Sequence, residues 1–110
     1  MAEFIELTDE NFHQTLIGHP FAIVDYYASW CGACRMAAGM FLRVAEGCAV
    51  PIFKIDAEKN VGSRDGVEIQ NLPTLAVFKD GLFVASLCTT KEESLRDFLE
   101  DNGARFTKPL

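Results

Sequence analysis

The chain has 110 residues, 49% of them hydrophobic, which suits a single domain with its own core over residues 1–110. Its 10 basic and 16 acidic residues leave a net charge of −6 with no basic cluster, which argues against a nucleic-acid partner. No basic segment precedes an apolar one in MAEFIELTDE, and no apolar run approaches the roughly 18 residues of a membrane span, so a cytoplasmic protein with no membrane association is expected.

In chain order, FIEL at 4–7 reads as a short strand, and Thr8 as the N-cap of a helix with Phe12, Leu16 and Ile17 on one face, ended by Gly18, His19 and Pro20. FAIVDYYA at 21–28 is apolar almost without alternation, the pattern of a strand covered on both faces of a parallel or mixed sheet. A helical period then runs through CGACRMAAGMFLRVAE from Cys31, with so few charges that a mostly buried helix is expected. PIFKID at 51–56 alternates like a strand, and the polar AEKNVGSRDG after it suits a short helix and a loop. NLPTLAVFKDGLFVASL holds two strand-like runs around Asp80-Gly81, a pair made for a tight hairpin. Thr90 and Glu93 have the spacing of a capping box ahead of Leu95, Phe98 and Leu99, Gly103 closes that helix, and residues from about 104 to 110 form a loose tail. The expected order is βαβαβ, a polar connection, then ββα, an α/β fold.

Cys31 and Cys34 stand three apart, behind Trp30, in YASWCGACRM. A staple, half of a metal site and a redox pair are the readings that this spacing permits. Four cysteines are few for a chain with a core of its own, and zinc needs four ligands where Cys48 and Cys88 are isolated and His13 and His19 lie earlier, so no metal is expected. A cysteine between a buried strand and a helix N-terminus, by contrast, meets free N–H groups and the positive end of the helix dipole, which favour a thiolate. Cys31 is therefore the candidate nucleophile. Cys34, one turn into the helix, is expected deeper and placed to resolve a mixed disulfide. Asp25 lies inside the most apolar strand, where its pKa is raised unless it reaches water or a backbone donor.

Trp30-Cys31-Gly32-Ala33-Cys34 after the strand, LTDENF at 7–12, Leu72-Pro73-Thr74 and FKDG at 78–81 together resemble the thioredoxin family, over essentially the whole chain and in the family's order, with WCGAC as the active-site variant. The resemblance implies a central mixed sheet flanked by helices. It also implies a thiol–disulfide oxidoreductase that reduces protein disulfides, with no bound cofactor, supplied with electrons from NADPH by a separate flavoprotein, thioredoxin reductase. Asp25 matches the family's buried aspartate, which exchanges a proton with the second cysteine and so acts as general base for Cys34. Pro73 matches the cis-proline that faces the cysteine pair, and Trp30, Gly32, Ala33, Leu72, Pro73 and Thr74 would line the substrate groove of a monomer. Ordinary core packing is the alternative for Trp30.

Several positions depart from the family. Ala33 stands where proline is usual, restoring an N–H and freeing φ, so the balance of dithiol and disulfide can differ. Gly39 replaces a helix proline. The lysine that often accompanies the buried aspartate falls, by counting back from Ile55-Asp56, at Ile52, with Lys54 two residues later on the same face. The loop Cys88-Thr89-Thr90 lacks the usual glycine and is one residue shorter, and Cys88 is either a small buried hydrophobe or a third thiol near the groove. Beside the reductase stand two rival readings: an oxidant, isomerase or redox sensor of the same fold, and a non-catalytic binding module.

Overall fold

The apolar run before the cysteines becomes the middle of a sheet. In a computed structural model, which describes residues 3–107, the order is β1 (Ile5–Leu7), α1 (Phe12–Leu16), β2 (Ala22–Tyr27), α2 (Gly32–Cys48), β3 (Ile52–Asp56), a 3-10 turn (Val61–Arg64), β4 (Thr74–Lys79), β5 (Leu82–Cys88) and α3 (Glu92–Asp101). The five strands lie in the order β1-β3-β2-β4-β5. β3 pairs parallel with both β1 and β2, β4 runs antiparallel to β2, and β5 antiparallel to β4. Two reversals and two parallel crossovers account for the mixed sheet that the apolar and alternating runs imply.

Alternation divides the core into two layers. Ile23, Ile52, Leu75 and Val77 face Ala37, Phe41, Val44 and Ala45 of α2 and Leu95 and Leu99 of α3. Val24, Tyr26, Phe53, Ile55, Ala76 and Phe78 face Leu16 of α1 and Val67. β2 is thus covered on both sides, which is why it shows no polar alternation. Tyr26 is wholly buried, and its hydroxyl donates to the Ser63 carbonyl at 2.7 Å, tying the 3-10 turn to the sheet. Asp80 and Gly81 both take positive φ, 52° and 83°, the backbone of a tight hairpin between β4 and β5.

Helix boundaries and exposure depart from expectation where capping and packing decide them. Thr8 is not the N-cap of α1: its carbonyl accepts the N–H groups of Asn11 and Phe12, Asn11 Oδ1 accepts the Thr8 N–H, and the helix starts after Asn11, leaving Ile17 exposed beyond its end. The Thr90–Glu93 box does not form, because α3 begins at Glu92 and Thr89 Oγ1 accepts the Lys91 N–H instead. α2 buries one face only, and Met36 is 89% exposed. From residue 104 the expected loose tail is anchored as far as Thr107: Ala104 is buried, Phe106 lies under the Arg96 guanidinium at 4.0 Å, and the Thr107 N–H donates to the Gly47 carbonyl at 3.1 Å. Residues 108–110 lie outside the described residues.

Gly39, where a helix proline is usual, sits inside an uninterrupted α2. It is exposed, and beyond its own helix backbone and chain neighbours a Cβ there would meet no atom of the described residues within 4 Å. Gly39→Ala is therefore expected to raise stability by about 0.5–1 kcal/mol, seen as a higher denaturant midpoint at unchanged slope. A lower midpoint would show that the backbone needs glycine there.

Candidate active site

The site lies where β2 ends and α2 begins. Cys31 is the N-cap of α2 with an extended backbone, and its Sγ accepts the Cys34 N–H at 3.1 Å. A sulfur in this place meets both an unpaired helix N–H and the helix dipole, the two influences that stabilise a thiolate. Cys31 and Cys34 are joined as a disulfide with their Cα atoms 5.3 Å apart. Burial does not separate them as expected, since Cys31 is 5% exposed and Cys34 4%. Their surroundings do: Cys31 caps the helix, while Cys34 lines a cavity of about 240 Å³ that it shares with Asp25, Lys54, Tyr27, Phe4 and Arg35.

Asp25 is 3% exposed, and its Oδ1 has no hydrogen-bond partner among the described residues. Burial pushes its pKa up to about 7, against a smaller downward pull from the Lys54 ammonium. A buried carboxyl near neutrality, opening on the same cavity as a thiol, can give or take a proton at physiological pH. Strand register settles the lysine question: Lys54, not Ile52, pairs with Asp25 across β3 and β2. Its Nζ lies 5.5 Å from the centre of the Tyr27 ring and 5.6 Å from that of Phe4.

Trp30 is 64% exposed rather than packed in the core. With Leu72, Ile69, Asn71, Glu58 and Arg64 it lines a groove of about 350 Å³. Half-buried Leu72 packs against Ala28, Cys31 and Cys34, and the Leu72–Pro73 peptide bond is cis. Gly32 and Ala33 are exposed, Ala33 beside Met36 and Thr90. Thr74 is buried, and its hydroxyl donates to the Asn71 carbonyl at 2.6 Å, which shapes the loop. The structure thus places Trp30 and Leu72 in one groove, with Leu72 packed on the disulfide, and Asp25 in a separate cavity with Cys34.

The remaining cysteines differ. Cys48 is buried at the end of α2, its Sγ near the Ala45 carbonyl at 3.6 Å, and burial pushes its thiol pKa up, which leaves it a protonated, packed thiol. Cys88 is exposed at the end of β5, in register with Thr74. Sequence reading missed Glu58, Arg64, Ile69 and Asn71 of the groove. Their own stretch is polar and without a periodic pattern, so no local signal marks them.

The thioredoxin sequence family matches residues 3–101. A thioredoxin of Alicyclobacillus acidocaldarius is 39% identical over 83 residues, 74% of this chain and 79% of its own length. A probable protein disulfide-isomerase A4 of Caenorhabditis elegans is 39% identical over 79 residues, 70% of this chain but 12% of its own length. In fold, the chain is similar to the solution structure of the oxidised thioredoxin of Plasmodium falciparum, with a TM-score of 0.80 at 22% identity over 93% of this chain and all of the other. A redox pair at a helix N-terminus, in a mixed five-stranded sheet with this match, makes the chain a member of the thioredoxin family, thiol–disulfide oxidoreductases acting on protein disulfides.

Proposed function

We propose that the protein works as a reductant, with Cys31 as nucleophile, Cys34 as resolving thiol and Asp25 as the base that serves Cys34. The observation that carries this reading is the different surroundings of the two sulfurs: Cys31 at the helix N-cap and Cys34 on the cavity that Asp25 shares. The Cys31 thiolate attacks one sulfur of a substrate disulfide, forms a mixed disulfide and expels the other substrate sulfur as a thiolate. Asp25 takes the Cys34 proton through the cavity, whose volume accommodates water. The Cys34 thiolate then attacks Cys31 Sγ, closes the intramolecular disulfide and expels the second substrate sulfur, so two electrons pass from the dithiol to the substrate.

Trp30, Gly32, Ala33 and Leu72 would receive an extended substrate segment, with Pro73, which is buried, shaping the loop beneath it. Proline has no N–H, so a strand-like pairing at this loop falls to the backbone of Leu72. A flavoprotein thioredoxin reductase drawing on NADPH would return the two electrons, the protein itself binding no cofactor, in the cytoplasm and as a monomer. The family's disulfide-isomerase relative favours one second reading, an oxidant or isomerase.

Titration of the Cys31–Cys34 couple against defined thiol–disulfide buffers separates the two. The expected potential is near or below about −250 mV, which keeps the pair reduced in a cytosolic thiol pool. A value above about −200 mV would overturn the reductant reading in favour of the oxidant.

A further inference from the structure

The row of side chains beside Asp25 continues past Lys54 to the edge of the sheet. Glu6 on β1 is in register with Lys54, and Lys54 on β3 is in register with Asp25. Side chains in register on paired strands point to the same face, so the Lys54 side chain stands in one row between those of buried Asp25 and exposed Glu6. Tyr27, two residues after Asp25, points to that face as well, and its hydroxyl donates a hydrogen bond to Glu6 Oε2. Lys54 Nζ rests over the Tyr27 and Phe4 rings, and Tyr27 is the residue that holds Glu6.

We propose that Glu6, held in the row by the Tyr27 hydroxyl, shares the Lys54 ammonium with Asp25 and thereby sets the pH at which Asp25 takes the Cys34 proton. This rests on Asp25 serving Cys34. Glu6 and Tyr27 touch no reacting atom and are positioning residues. A carboxylate beside Lys54 offsets part of the positive field that would otherwise favour ionised Asp25. The other groups facing Asp25 are Tyr27 of its own strand, Cys34 and Arg35 of α2 and, farther along β3, Asp56. The Arg35 guanidinium is turned to the Ser29 carbonyl at 2.8 Å, and β4 contributes only Leu75 opposite Asp25.

The test reads Asp25 directly, through the pH titration of its labelled side-chain carboxyl carbon by NMR in the oxidised, full-length protein. Glu6→Gln removes the competing charge and is expected to lower the Asp25 midpoint by about half a pH unit at low salt. Tyr27→Phe should move it the same way by less, and Lys54→Gln should move it upward. Because Glu6 is exposed, about 0.5 M salt should shrink the Glu6→Gln difference, a response that a purely structural role would not give. The pH dependence of mixed-disulfide resolution should follow the carboxyl midpoint. A wild-type midpoint near 7 that Glu6→Gln leaves in place or raises overturns this inference alone. A wild-type midpoint near the ordinary value of about 4 overturns it together with the role of Asp25 as base.

Discussion

Replacing Cys31 with serine is expected to reduce disulfide-reductase turnover about a thousandfold or more, because a serine hydroxyl at neutral pH is not a nucleophile toward a disulfide sulfur. The structure explains why this cysteine and not its neighbour carries the attack. Cys31 Sγ accepts the Cys34 N–H at the head of the 17-residue α2, where the helix favours negative charge, whereas Cys34 looks into the Asp25 cavity. Cys34→Ser should leave the first attack intact and abolish the second. Protein–protein adducts that survive denaturing electrophoresis and dissolve on adding dithiol should then accumulate. Turnover that persists without Cys31 would assign the chemistry to another thiol, and Cys88, exposed beside the Thr74 end of β4, is the one to remove next.

Asp25→Asn should stabilise the folded protein and slow it as a catalyst. A carboxyl moved by burial from 3.8 to about 7 holds its proton more tightly in the folded chain than in the unfolded one. Below pH 3.8 both states are protonated and the shift has no effect on stability. Between 3.8 and 7 the unfolded chain ionises first and stability falls as pH rises, and above 7 the full penalty remains. At 1.36 kcal/mol per unit that penalty approaches about 4 kcal/mol, an upper figure because cavity water relieves part of it. Denaturant melts at pH 4 and pH 8 should therefore show a stability gain for Asp25→Asn that is small at the lower pH and large at the higher. Mixed-disulfide resolution by the same variant should slow without loss of the initial attack. Equal stability of the two proteins at pH 8 would mean that Asp25 is solvated enough to ionise without penalty.

The position of Glu6 at the outer end of the charged row gives this site an adjustable part. Asp25 lies in the core and Lys54 between aromatic rings, so changes at either disturb packing, while Glu6 is at the surface and its charge can be altered with little else moved. The stability penalty of Asp25 and its proton affinity are two readings of one quantity. A substitution at Glu6 that lowers the proton affinity should thus also lessen the high-pH penalty.

Features legible in the sequence were those that depend on residues close together along the chain. A buried strand running into a helix that opens on Cys31, Asp80-Gly81 between two strand runs, and an aspartate within an apolar stretch are each local patterns with local physical causes. They were enough to identify the redox pair, the hairpin and Asp25. Helix starts were less legible, because Thr8 and Thr90 carry the right side chains for caps while Asn11 and Thr89 make the hydrogen bonds. The burial of α2 was overstated for a related reason: Met36 is apolar, but its place on the helix faces away from the sheet.

The order of the elements, the family and the two sulfurs can be read along the chain, since secondary-structure period and short motifs are properties of contiguous residues. Strand pairing and loop packing are what set Lys54 rather than Ile52 beside Asp25, bring Glu6 of the first strand into the same row, and open Trp30 onto a groove shared with Leu72 and Arg64. Those neighbours come from strands and loops far apart in the chain. Their meeting is set by sheet register, where a slip of one residue would turn every one of these side chains to the other face.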